Sequence, residues 1–275
     1  MSDSESHYDY SPSLPAAIIM TVAFGCLTAL NGFRMVQRRV LFCIPFVVGG
    51  ALETAGFAAR AAGHYDPEST PAYVVQALAI LLGPIFFAAS VYMTLGRVIR
   101  AVDGERHSMM RLTRITKIFV GGDILCFLTQ ALGGGMLAGA DSAKAVDRGE
   151  NVILAGLILQ MLIFGFFLVV AGTFHFRMRR HPTEKSMGGV FNWEGAMFVV
   201  YILSALITLR NLFRVIEYIM GEDGYLIQNE WPLYIFDAFL MILVLGVALK
   251  VSAQMRYAFR GLSETESHML DRVDT

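Results

Sequence analysis

The sequence predicts an all-α integral membrane protein, a bundle of seven transmembrane helices with its N-terminus outside and its C-terminus in the cytoplasm. Three observations carry that prediction. Hydrophobic residues make up 55% of the 275 positions and charged residues only 16%, against about a quarter charged in soluble chains. Apolar runs of spanning length recur along the chain, and Lys and Arg gather in alternate connections between them. The formal net charge of −1 gives no basis for a nucleic-acid partner.

A helix crossing the hydrocarbon core needs about 20 mostly apolar residues. Such runs lie near 14–36, 40–62, 72–98, 115–139, 150–177, 195–219 and 233–255. Backbone amides cannot remain unpaired in lipid, so runs of this length form helices. The domain plan is an extracellular tail over 1–13, a seven-helix domain over 14–255 and a cytoplasmic tail over 256–275. Residues 1–13 are polar and acidic without a basic start, so the first run is read as a retained anchor and not a cleaved leader. Direction follows from the loops, since cytoplasmic loops collect Lys and Arg. Arg34, Arg38 and Arg39, six basic residues between Arg97 and Lys117, four between Arg177 and Lys185, and four from Lys250 onward fall on one side. Only Lys144 and Arg148 fall on the other. Cys26, Cys43 and Cys126 sit inside apolar runs and read as small buried residues, not as a disulfide framework.

Ionisable groups within a span cost about 2.5–3.5 kcal/mol each on insertion scales, yet this chain has several. Span 2 carries Glu53 and Arg60, span 4 Asp123 with Gln130, span 5 Gln160, and span 6 Arg210, Arg214 and Glu217; Asp237 opens span 7 with Glu230 just before it. Glu53 and Arg60 are two helical turns apart, as are Asp123 and Gln130, and Arg210, Arg214 and Glu217 follow i, i+4, i+7, so each helix has one polar side. Those sides are expected to face one another. Spans 2, 4 and 6 run outward, which puts Arg60, Gln130, Arg210, Arg214 and Glu217 in the outer half and Glu53 near the middle. The expectation is a charge-paired cavity open to the outside and tapering near Asp123. The plainer reading is that Arg–carboxylate pairs only fix helix register; Arg60 and Asp237, near helix ends, can also snorkel. Pro84 in span 3 is a candidate hinge, since a mid-helix proline removes a hydrogen bond, and Gly133, Gly134 and Gly135 loosen the end of span 4. Static kinks and close helix packing are the alternatives.

The polar positions form an ordered set. Glu53-x-x-Gly56-Phe57-x-x-Arg60 comes first, then Leu81-Leu82-Gly83-Pro84, Ala88-Ala89 and Tyr92-x-x-Leu95-Gly96-Arg97. Asp123, Gln130 and Gly156-Leu157-x-x-Gln160 follow, then Arg210-x-x-x-Arg214-x-x-Glu217 with Gly221, Gly224, Glu230, Tyr234 and Asp237. In this order and spacing the chain resembles the fungal lipid-translocating exporter family, also called the resistance-to-aminocholesterol-like family, over roughly residues 10–260. The resemblance implies a multi-pass protein, often of the plasma membrane, linked to export of sphingoid bases, resistance to toxic amphiphiles and porphyrin uptake. It supplies no settled binding residues. Gly83 departs from the Ala common before the proline, and the cytoplasmic tail is short.

The leading functional expectation is a translocase for an amphiphile, with membrane lipids and the substrate as its partners and with no enzymatic activity. Glu53, Asp123 and Glu217 suit an ammonium head, while Arg60, Arg210 and Arg214 suit a carboxylate or phosphate; the residue types favour neither. No Gly-x-x-x-x-Gly-Lys-Ser/Thr run is present, which excludes a P-loop ATPase. No cofactor or metal is expected: of six histidines only His175 approaches a span, whereas catalytic zinc takes three protein ligands. A seven-helix receptor for an amphiphile and an exporter of a fungal secondary metabolite are the alternatives.

Overall fold

The structure is a computed structural model that describes residues 13–38, 43–65, 70–139, 142–188, 191–220 and 230–251. The expected tails, 1–13 and 256–275, lie outside these residues except for Ser13, as do Gly221 and Gly224. The described residues form seven long helices: α1 Leu14–Arg38, α2 Ile44–Gly63, α3 Thr70–Ala101, α4 Leu112–Ala138, α5 Ala143–Arg180, α6 Trp193–Met220 and α7 Leu233–Val251. Six of them are long and apolar enough to cross a membrane. The exception is α2, 20 residues long, whose apolar character is diluted by glycine and alanine and by the charges of Glu53 and Arg60. The helices carry large exposed apolar side chains such as Ile19, Phe33, Leu128, Leu162 and Phe198, as a lipid-facing surface requires.

The helices outrun the predicted spans where polar residues follow the apolar run. The longest, α5, has 38 residues, or about 57 Å at 1.5 Å per residue, well beyond a hydrocarbon core. A helix need not end where lipid ends, because its backbone bonds are satisfied internally on either side of the boundary.

Close packing rests on small residues. Helices α2 and α3 approach so nearly that a Cβ added to Gly49 would lie 2.8 Å from the Gly83 carbonyl oxygen, and one on Gly56 would lie 2.7 Å from the Ile80 side chain. Helices α4 and α5 meet in the same manner: a Cβ on Gly133 would stand 2.8 Å from the Gly149 carbonyl oxygen. Gly133 is thus a contact between backbones within a continuous helix, which corrects the expectation that the glycine triplet loosens this end; Gly134 and Gly135 face open space. Small residues at such crossings let dispersion act where lipid offers no hydrophobic driving force. α1 packs on α2 through stacked Phe24 and Phe57, with centroids 5.4 Å apart.

Helix α3 is central, mostly buried, and packs on α2, α4 and α6. Its Tyr92 enters an aromatic block with Phe119 of α4 and Phe164 and Phe167 of α5, the nearest ring centroid being 4.6 Å away. At one end of the bundle, the Ser13 amide donates to both Glu230 carboxylate oxygens at 3.0 Å, joining the start of α1 to the approach to α7. At the other end, the Thr183 hydroxyl donates to the Val102 carbonyl at 2.6 Å and Lys185 pairs with Asp103 at 2.8 Å, joining the connection after α5 to that after α3. Of the cysteines, Cys43 and Cys126 are buried as expected, whereas Cys26 is exposed on the outer face of α1, a correction to its reading as a core residue.

Candidate functional site

The site is built on one turn of α7. Residues Leu233–Phe239 form a π-helical segment, a geometry that recurs at functional positions because the wider turn re-aims side chains. It presents Tyr234 and Asp237 inward, both buried. Asp237 receives two arginines of α6, one on each carboxylate oxygen: Arg210 Nε donates to Oδ1 at 2.6 Å, and Arg214 Nη2 donates to Oδ2. Arg214 also donates to Glu217 at 3.1 Å. One layer nearer the helix ends, Arg60 of α2 pairs with Glu230 at 2.6 Å and donates through Nε to the Tyr234 hydroxyl at 3.2 Å. Arg60, Arg210 and Arg214 are thus matched by Glu230, Asp237 and Glu217.

Pro84 contributes to this network through what it lacks. A proline has no N–H, so the carbonyl four residues earlier loses its intrahelical donor. That carbonyl belongs to Ile80, and Arg210 Nη2 donates to it at 3.3 Å. The helix runs unbroken through Pro84.

Glu53 differs from the other carboxylates. It is 1% exposed, and Oε1 has no hydrogen-bond partner among the described residues. The carboxyl lies against α3 at Gly83, where an added Cβ would stand 2.6 Å from Oε1. It is within electrostatic reach of Asp237, Arg210 and Arg214, but both guanidinium groups are already bonded to other carboxylates.

The remaining predicted residues lie in two other places. Asp123 of α4 accepts the Tyr92 hydroxyl at 2.9 Å within the aromatic block, and its second oxygen has no partner among the described residues. Gln130 of α4 donates to Gln160 of α5 at 2.9 Å. The polar sides of α2, α6 and α7 converge, then, while those of α4 and α5 meet each other and Tyr92. The expected open cavity tapering to Asp123 is in this structure a closed ionic network plus a separate carboxyl: Glu53, Arg60, Arg210 and Asp237 are each at most 2% exposed. Arg214, Glu217 and Glu230, with side chains 18%, 11% and 17% exposed, form its accessible edge. A cavity of about 440 Å³ lies at the far end of α3, between Arg100, Glu105, Ser108 and Arg111.

Sequence reasoning did not single out Tyr92 as the partner of Asp123, Tyr234 as a partner of Arg60, or Gly83 as the surface under Glu53. Tyr92 and Tyr234 left a signal, a hydroxyl within an apolar run. Gly83 left only its place beside Pro84.

An apolar helical bundle that hides paired arginines and carboxylates in its interior defines a multi-pass membrane protein. Comparison with known proteins gives the family. The family model described as "RTA1 like protein" matches residues 46–260, and the chain belongs to the RTA1-like family, which is the family that the ordered polar positions resemble. Protein RTA1 of Saccharomyces cerevisiae is 31% identical, the alignment covering 97% of this chain and 92% of that protein. Protoporphyrin uptake protein 1 of the same yeast is 29% identical, covering 94% and 96%. The sphingoid long-chain base transporter RSB1 is 27% identical, covering 92% of this chain and 74% of that one. No solved structure matches the chain.

Proposed function

We propose that this protein is a translocase that moves an amphiphilic, lipid-like molecule across the plasma membrane and so contributes to resistance against toxic amphiphiles, without chemically converting its substrate. The carrying observation is the ionic network of α2, α6 and α7 at one end of a largely apolar bundle. Buried charge in a membrane is costly and concentrates along substrate and ion pathways. An amphiphile needs both a polar site for its head and apolar helix surfaces for its chain, and this bundle has both. The names of the relatives point the same way, since one is a sphingoid long-chain base transporter and another a protoporphyrin uptake protein.

In this reading all seven helices cross the membrane, with the network at the outer end. Two contacts support that count. The Ser13–Glu230 bonds put the starts of α1 and α7 at the same end, which requires an even number of crossings between them; six helices satisfy this only if α2 crosses too. The pairing of Arg60 in the last turn of α2 with Glu230 agrees. The basic residues of the α3–α4 and α5–α6 connections mark the opposite end as cytoplasmic.

The test is reconstitution of the purified protein in vesicles, offered labelled sphingoid base, porphyrin, fatty acid and a sterol-like amine in turn. The reading predicts faster movement of at least one of these than in protein-free vesicles. Movement of none removes it, and saturable binding without movement puts an amphiphile sensor in its place.

A further inference from the structure

Charge counting around the network singles out one residue. Among the described residues, Arg60, Arg210 and Arg214 each have a carboxylate partner in Glu230, Asp237 or Glu217. Glu53 makes a fourth carboxyl without a fourth cation. The cations within electrostatic reach of it, Arg210 and Arg214 from α6, are both bonded to Asp237 from α7, and Arg214 is bonded to Glu217 as well. From α3 it meets the backbone at Gly83. α1 brings Phe24, Gly25 and Thr28 against α2, none of them ionisable. The connection at residues 221–229 contains Glu222 and Asp223 and no Lys or Arg, so its composition supplies no balancing cation.

An ionised carboxylate with a buried, unpartnered oxygen and no cation of its own is expensive in a closed bundle. It needs a cation of its own, either a proton or the head of a ligand. We propose that Glu53 is an exchange site: a proton occupies it in the closed bundle, and the ammonium of a cationic amphiphile replaces that proton when substrate is loaded. The exchange balances in charge and atoms. A neutral Glu53 carboxylic acid and an alkylammonium cation become a carboxylate–ammonium ion pair, and the acid proton leaves to solvent. Arg210 and Arg214 already have Asp237 as their anion, so the incoming ammonium finds its anion at Glu53. Access runs past the exposed edge of the network at Arg214, Glu217 and Glu230. The transport consequence, obligatory exchange of a proton for an amine, rests on the translocase reading. The binding equilibrium itself does not.

The experiment measures protons released per amine bound, by calorimetric titration of the full-length protein in lipid nanodiscs with decylamine. Binding heats are compared in two buffers of different ionisation enthalpy, at pH values where the amine is fully cationic. The expectation is release of about one proton per amine, with apparent affinity falling about tenfold per unit of pH decrease while the site holds its proton. Glu53→Gln mimics the neutral acid in shape, so the fold is expected to persist; amine binding weakens and its pH dependence disappears. Gly83→Ala keeps the carboxyl but displaces it from α3, and lowers amine affinity with the released proton retained. Amine binding without proton release in the natural protein overturns the proposal, as does undiminished release in Glu53→Gln. Vesicle transport of an amphiphile with no linked proton release removes the exchange and leaves the translocase. Proton release that depends on Glu53, with no amphiphile moved, leaves the exchange and removes the translocase.

Discussion

The α2–α3 and α4–α5 seams are built alike and end in opposite chemistry. Both are glycine crossings, and in both a long polar side chain lies over a glycine of the neighbouring helix. Glu53 of α2 covers Gly83 of α3, where a Cβ would stand 2.6 Å from its oxygen; Gln130 of α4 covers Gly156 of α5, where a Cβ would stand 2.8 Å from its Cγ. At the second seam the polar group is neutral, and its Nε2 donates across the interface to Gln160 while its Oε1 has no partner among the described residues. At the first it is a carboxyl without a hydrogen bond to Oε1, set beside an ionic network. An amide pair of this sort holds two helices together. An unanswered acid does little for packing, and this contrast is the ground for the exchange site proposed at the α2–α3 seam.

The sharpest way to break this contrast is to remove the anion that anchors the ionic side. Asp237→Asn leaves Arg210 and Arg214 short of their shared partner and is expected to destabilise the protein by about 3–5 kcal/mol, read as the shift in denaturant-induced unfolding in detergent. A loss no greater than that of the amide seam would mean the network contributes no more than ordinary packing. Gly133→Ala should come next, at about 1–3 kcal/mol. Its new methyl meets the Gly149 carbonyl and the Ile153 amide, which cannot swing aside. Gly83→Ala meets mainly the movable end of Glu53, so the same unfolding assay should find a smaller loss there than at Gly133. The smallest effect belongs to Gln160→Leu. Interhelical hydrogen bonds in membranes average about 0.6 kcal/mol, so unfolding should shift slightly and amphiphile movement should persist; lost movement would place the amide pair within the pathway.

Much of this arrangement is legible in the sequence. The seven runs locate the helices to within a few residues at most ends, and the i, i+4, i+7 spacing of Arg210, Arg214 and Glu217 puts them on one side of α6, where the two arginines meet Asp237 and Glu217 pairs with Arg214. Hydropathy misses the reach of α5, because helices continue past the lipid boundary. Spacing along one helix also cannot say which neighbour a polar side will face. That is why Asp123, expected beneath the arginines, lies with Tyr92, and why Gln130, grouped with them by depth, meets Gln160. Glycines carry no side chain to pattern, so the roles of Gly83 and Gly133 emerge only once backbones are placed against each other.

The bond from Arg210 to Ile80 has a consequence for mutagenesis and for evolution. Its acceptor is main chain, so every residue type at position 80 offers it equally, and an alanine scan of α3 would pass over it. The determinant sits four places along, in the absence of a hydrogen at Pro84. Replacing that proline by any other amino acid supplies the carbonyl with a competing internal donor. The register of α6 against α3 is therefore written in a residue whose own amide has nothing to donate.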